Sequence, residues 1–282
     1  MNTIKSIALL AALSALLIWI GGMIGGQQGA LIALGIALVM NFTSYWWSDK
    51  IVLSMYKAKE VTYEDAPELY GDVQELATNA GLPMPKVYIV PEQAPNAFAT
   101  GRSPSHSAVA VTQGIMKLLS RDELKGVLAH ELAHIKNRDI LTGSIAATIA
   151  TAITYLIYIG LFFGGGRGGR GSNPIALIAM LILAPLAASL IRMAISRTRE
   201  YEADKGGAQI CGNPLYLANA LRSLSGYSGR GKFTVSEQAA DSTAHMMIIS
   251  PMLGGRMAKL FSTHPPMEER IAKLENMAMG RS

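Results

Sequence analysis

"SRDELKGVLAHELAHIKNRD", residues 120–139, decides how the rest of the chain is read. Ser120 followed three positions later by Glu123 forms a capping box, in which the hydroxyl and the carboxylate each satisfy the other residue's backbone N–H. A helix therefore opens here. Within it, His130 and His134 are four apart and lie one above the other on the same face, so both imidazoles can bind one metal ion. Glu131, beside the first histidine, can lean toward a water at that metal. This H-E-x-x-H pattern is the zinc metalloprotease signature. The bland alternative is two surface histidines on an amphipathic helix, but the chain has only five histidines and two fall at this spacing in a capped helix. Nothing in the sequence stops the helix before Ile140, so it is expected to run on into the apolar segment that follows.

That segment is one of four apolar blocks, at residues 7–24, 30–47, 140–163 and 175–195. Each is close to the roughly 20 residues that cross a hydrocarbon core. The first three carry no Asp, Glu, Lys, Arg or His, and the fourth only Arg192 near its end. Buried core helices are the alternative for such blocks, and a cleaved signal peptide with Lys5 in its n-region is the alternative for the first. The first block is long for a signal and lacks a clear small-x-small cleavage site. Four spans put residues 1–6, 48–139 and 196–282 on one side. Lys5, Lys50, Lys57, Lys59, Arg197 and Arg199 lie there, which makes it the cytoplasmic side. Arg167 and Arg170, in the loop between spans three and four, count weakly against this. The formal charge of +5 is read as topology and attraction to anionic lipid, with no nucleic acid as partner. Cys211 is the single cysteine, so no intramolecular disulfide is possible.

Catalytic zinc takes three protein ligands and keeps a fourth position open. No further histidine follows HELAH at short spacing, so the third ligand comes from elsewhere and a His₂Glu set is expected. In "SRTREYEADKGG", residues 196–207, Glu200 comes five residues after the fourth block, much as HELAH ends six residues before the third. A hairpin of spans three and four therefore brings the two stretches together. Glu200 and Asp204 share a helix face, whereas Glu202 points away. Glu200 is the candidate ligand, and Asp204 the candidate acceptor for the free ring N–H of a zinc histidine, His130 first. Ordinary charge pairing with Arg197, Arg199 and Lys205 is the competing reading.

The region 48–139 reads as a small mixed domain. Leu69, Val73, Leu76, Ala77 and Ala80 form a helical stripe over 66–80, which Gly81 stops. KVYIV (86–90) and SAVAVT (107–112) read as strands. Asn96, Ala97, Phe98, Ala99 and Thr100 read as an edge strand that a substrate peptide can pair with, or as a plain loop strand. Asn137 is either a support for the site or a solvated position. A helix is expected over 266–279. Gly166–Gly171 matches G-x-G-x-x-G, but it joins two apolar blocks rather than a strand and a helix, so no nucleotide is expected.

HELAH with Asn137 and Asp139 after it, Glu200…Asp204 as E-x-x-x-D, and "STHPPMEER" near the end resemble the HtpX-type membrane zinc metalloproteases, relatives of the CAAX prenyl-protein endopeptidases. "NAFATGRSPSHSAVAVTQG" (96–114) and "STAHMMIISPM" (242–252) are similar to segments of the same family. The resemblance implies one zinc per chain on His130, His134 and Glu200, a cytosol-facing site, and quality control of damaged membrane proteins. It also implies that His264 stabilises the developing oxyanion and that Arg270 braces Glu200 or Asp204. His106 and His245 are left as structural.

The expected architecture is a mainly α integral membrane protein, multi-pass in the inner (plasma) membrane, with four transmembrane helices and a mixed α+β cytosolic, zincin-like catalytic domain. Its parts are a hairpin of spans (1–47), a catalytic part with the HExxH helix (48–139), a second hairpin (140–195) and a catalytic part with the third ligand (196–282). The expected function is hydrolysis of peptide bonds in misfolded or damaged membrane proteins, with Glu131 as general base passing a proton from the attacking water to the leaving amine. CAAX-type processing is the nearest enzymatic alternative, and it calls for an intramembrane chamber of more spans. A zinc-holding scaffold without activity is another, disfavoured because structural zinc usually has four protein ligands. A transporter would carry ionisable residues near the bilayer midplane, which these spans lack.

Overall fold

Helix α1, Asn2–Met55, is helical along its whole length and yet turns back on itself. Gly26 lies in the left-handed region at φ +57°, which glycine adopts without penalty. Asn41 Nδ2 donates to Ser14 Oγ at 2.8 Å, whereas 27 residues of straight helix would hold them about 40 Å apart. A β-carbon on Gly22 would stand 3.8 Å from that of Ala30. Both pairs are centred on the Gly26 turn, so the two arms are antiparallel. The second arm exposes Leu31, Ile32, Leu38, Val39, Phe42, Trp46 and Trp47, a surface too apolar for water. Among the described residues Gly26–Met55 is long and apolar enough to cross a membrane.

The computed structural model describes residues 2–141, 145, 197–227, 248 and 265–281. The expected spans three and four, over 140–163 and 175–195, lie outside the described residues except at 140, 141 and 145, and His245 and His264 lie outside them as well.

Beyond α1 the chain forms a mixed four-stranded sheet in the order β1-β2-β4-β3. Strand β1 is Lys59–Val61, β2 Lys86–Val90, β3 Ala97–Ser103 and β4 His106–Thr112. β2 and β4 run parallel, and β1 and β3 are antiparallel to their neighbours. Side chains alternate between two apolar layers, as a strand's period of two requires. Val87, Ala97, Ala99, Val109 and Val111 face the main core. Val90, Phe98, Ala108 and Ala110 face the end of α1 through Val52, Leu53 and Tyr56. A shift of one residue would exchange these sets, so the register is fixed by burial on both faces.

The main core is closed by helices α2 (Pro67–Ala80), α4 (Arg121–Lys136), α5 (Arg197–Cys211) and α6 (Pro214–Ser225). A short α3, Gln113–Leu118, joins β4 to α4. A last helix, α7 (Met267–Ala278), packs on α5 and α6. The expected stripe of α2 is buried, Gly81 ends the helix in the left-handed conformation, and the Ser120–Glu123 box caps α4. Leu128 and Leu132 of α4 are fully buried; truncating either to Ala costs about 2–5 kcal/mol.

One expectation fails here. α4 does not continue into residue 140; it ends at Lys136, with Asn137 as its C-cap. Arg138 takes φ +59°, and the Asp139 N–H donates to the His134 carbonyl at 3.0 Å. The break folds Asp139 back beneath the last histidine of the motif before helix resumes at Ile140.

Candidate metal centre

α4 and α5 nearly touch. A β-carbon on Gly207 would lie 2.9 Å from the His130 backbone, and one on Gly206 would lie 3.1 Å from Ala133 Cβ. Asp204 and Glu200 lie three and seven residues before Gly207, on the same stripe of α5. The missing side chain at 207 thus lets both carboxylates reach the histidines.

His130 Nε2 and His134 Nε2 stand 3.2 Å apart. Glu200 Oε1 is 3.5 Å from His134 Nε2, and its Oε2 is 3.8 Å from His130 Nε2. These three side chains form the group among the described residues that could hold a metal ion. The spacing supports it: donors about 2.0–2.1 Å from a tetrahedral zinc are about 3.3–3.4 Å from one another. Two imidazole nitrogens facing each other this closely need a proton or a cation between them.

Each histidine is backed by an aspartate, and each aspartate by an arginine. Asp204 Oδ1 lies 3.0 Å from His130 Nδ1, close but off the direction of the ring N–H. Arg270, fully buried on α7, grips Asp204 with Nε at 2.9 Å and Nη2 at 2.6 Å, and its Nη1 is 3.6 Å from Glu200. On the other side Asp139 Oδ2 is 3.2 Å from His134 Nδ1, and Arg199 Nη1 is 3.8 Å from Asp139. Carboxylates beside both Nδ1 atoms would leave both Nε2 lone pairs to a metal ion. Glu131, Asp139, Glu200 and Asp204 are all buried, as are Arg199 and Arg270. With the carboxylates ionised and the imidazoles neutral, the cluster carries two excess negative charges. One divalent cation cancels them.

The electrostatics follow from this crowding. Burial pushes the Glu131 carboxyl up; His130, His134 and an N–H from Ala99 pull the other way without overcoming it. For His134 burial acts downward, but the Asp139 hydrogen bond and the charges of Glu200 and Glu131 outweigh it, raising the imidazole to about 9. Burial alone would raise Asp204, yet Arg270 and His130 hold it below its ordinary value. A metal ion seated on His134 would have to displace the proton that this raised imidazole favours.

Other expected site residues are placed less centrally. Asn137 is exposed and lines a surface groove with Lys136, Glu202 and Lys205; Asp139 takes the position beside His134. Glu202 is exposed, as its phase on α5 predicts. β3 is the sheet edge, and the Ala99 N–H donates to the Glu131 carboxylate. The Ala97 carbonyl accepts from the Ile248 N–H at 3.3 Å. Phe98 points away from the cleft and stacks on Tyr56, with ring centroids 5.5 Å apart. Asn96 is buried, its side chain accepting from the Ala97 N–H and its backbone bonded to Thr112. His106 is exposed in the β3–β4 turn beside Ser103 and Ser105.

The Asp139–Arg199 pair was not anticipated. Replacing Asp139 by Ala is expected to weaken zinc binding about 10–100-fold, the usual cost of an outer partner of a ligating histidine. Competition with a chromophoric chelator measures this, with circular dichroism as the check on folding. Binding within about threefold of the parent would deny Asp139 that role.

The geometry is that of a group able to hold a metal ion, with His130 and His134 on an HExxH helix, Glu131 beside them and Glu200 on a second helix. The model of peptidase family M48 matches residues 64–278, and the chain belongs to that family. It is a metalloprotease, a hydrolase of peptide bonds. A protease HtpX homolog of Desulfatibacillum aliphaticivorans is 58% identical over 279 residues, covering 97% of this chain and 89% of that protein. A protease HtpX homolog of Syntrophotalea carbinolica is 55% identical over 284 residues, covering 99% of this chain and 100% of that one. Among solved structures, S. mikatae Ste24p aligns over 97% of this chain with a TM-score of 0.53 and 20% identity. The chain spans 65% of the length of that protein, and the likeness is one of fold.

Proposed function

We propose that the protein is a multi-pass zinc endopeptidase of the inner membrane that cleaves damaged membrane proteins on the cytosolic side. The convergence of His130 Nε2, His134 Nε2 and Glu200 at near-tetrahedral spacing carries this reading. The exposed apolar surface of α1 supports the membrane. The donor set favours zinc, because two imidazoles and a carboxylate with an open fourth position are the composition of catalytic zinc sites. When bound, zinc supplies a Lewis acid that polarises a peptide carbonyl and makes a nearby water more acidic.

The chain's own residues do the rest. Glu131 takes the proton from the attacking water and delivers it to the departing amine nitrogen; burial, by favouring its protonated form, strengthens it as a base. Asp139 holds the His134 imidazole in one tautomer and orientation, and Asp204 places its charge beside Nδ1 of His130. Arg270 locks Asp204 and balances Glu200. The edge strand β3, which meets Glu131 at the Ala99 N–H, is the strand along which an extended substrate is aligned, with little demand on side-chain identity. His264 is assigned to the oxyanion on the strength of the family motif.

The test uses the whole chain purified in detergent with a chelator. Casein is expected to remain intact until zinc is added, and then to be cleaved. Cleavage unaffected by thorough chelation would sink the metalloprotease assignment of this site.

A further inference from the structure

We propose that the active site stands at a fixed height of about 10–15 Å above the membrane surface and so selects peptide bonds by their distance from the bilayer. This rests on the membrane-protease reading and names its substrate class: extended cytosolic segments that flank a transmembrane span. The apolar surface of α1 ends in Phe42, Tyr45, Trp46 and Trp47, all at least 40% exposed, followed at once by Asp49 and Lys50. Their rings are in mutual contact, Phe42 with Trp46 and Trp47, and Tyr45 with Trp46. Trp and Tyr at the end of an apolar helix mark the membrane–water interface. They set the zero of the scale.

Two contacts then tie β3 to α1 at different heights. The Arg102 guanidinium, at the far end of β3, lies 4.6 Å from the centroid of Trp46. Phe98, four residues earlier, stacks on Tyr56, ten residues beyond Trp46, at 5.5 Å. Along α1 the step from Trp46 to Tyr56 is about 15 Å at 1.5 Å per residue. Along β3 the step from Arg102 to Phe98 is about 13 Å at 3.3 Å per residue. The agreement means that β3 runs back beside the outgoing helix, toward the bilayer. Ala99, next to Phe98, is the residue whose N–H holds Glu131. The catalytic base is therefore joined to the interfacial aromatics by a strand of known length. A helix tilt of about 20° shortens the height by less than a tenth.

A chain leaving the headgroups must cover that height before a bond reaches Glu131. At about 3.3–3.6 Å per extended residue this takes about four residues. Bonds closer to the span cannot reach the site. A tail that ends sooner escapes altogether, and a longer one is cut first about four to six residues out, since β3 reads backbone rather than side chains.

The experiment places the zinc-loaded protein in liposomes with a single-span peptide bearing a casein-derived cytosolic tail. A second peptide carries the same tail displaced by about five Gly/Ser residues, and mass spectrometry locates the cuts. The expected result is a first cut at the same distance from the span in both peptides, with about the first three bonds intact. Cleavage within those bonds, or a first cut that moves outward with the casein sequence, overturns the proposal. Soluble casein is the control: if the zinc-loaded protein leaves it intact, the protease reading fails rather than the height rule.

Discussion

Glu131→Gln is expected to keep the metal and to lose casein hydrolysis by a factor of about 10²–10⁴, the range that general acid–base catalysis supplies. The amide has the size of the carboxylate, and its oxygen still accepts the Ala99 N–H, so α4 and the facing histidines stay in place. What disappears is the group proposed to take and return a proton. A stability measurement separates this from damage to the fold. In the metal-free protein burial holds the Glu131 carboxyl above its ordinary range. Folding therefore binds a proton there, and the group costs stability as pH rises past the ordinary carboxyl value, with the full cost present above the raised folded value. Glutamine removes that cost, so the variant is expected to melt no lower than the parent at neutral pH. A variant that melts earlier, or that loses its metal, would mean that Glu131 holds the site together instead of serving the reaction.

How much of this was legible depended on the range of each signal. The capping box, the stripe of α2 and the two β-like runs are local patterns, and each element formed where its pattern placed it. Four-residue spacing put His130 with His134 and Glu200 with Asp204 on single faces, while the meeting of α4 with α5 was read from a hairpin of apolar blocks that lies almost wholly outside the described residues. Arg270 was reached through family resemblance alone; it bonds to a residue 66 positions away, which no spacing rule reports. Asp139 was missed for a different reason. The break after Lys136 depends on Arg138 in a left-handed conformation that glycine or asparagine usually marks, and here an arginine fills it. A continuous helix was the natural reading, and a continuous helix would carry Asp139 away from His134. The same break explains Arg199. Read as a basic flank of the fourth apolar block, it is instead a buried partner of Asp139. Strand phase could have exposed one more point. Ala97 and Ala99 on the core face require Phe98 on the other, so its ring belongs to the contact with α1 and not to the cleft.

The question raised by three acids within residues 200–204 has its sharpest test in a pair of substitutions. Glu200→Gln is expected to lower zinc affinity by more than the 10–100-fold typical of an outer partner, since it removes a donor itself. Glu202→Gln is expected to bind zinc as the parent does, because its carboxylate is exposed in a surface groove beside Lys136 and Lys205. Charge alone cannot produce that difference: both changes delete one negative charge, two residues apart on one helix. Position can. Glu200 Oε1 and Oε2 lie 3.5 and 3.8 Å from the two Nε2 atoms. The metal-free melting point gives the second arm. Glu200 shares a crowded pocket with Glu131, Asp139 and Asp204, balanced by two arginines, so neutralising it is expected to leave the empty protein about as stable as before. Zinc should then raise the melting point of the parent and of Glu202→Gln but not of Glu200→Gln, because only a ligand that binds the folded state shifts it. Equal zinc-induced shifts in both variants would remove Glu200 from the ligand set and return it to the ordinary charge pairing of a helix surface.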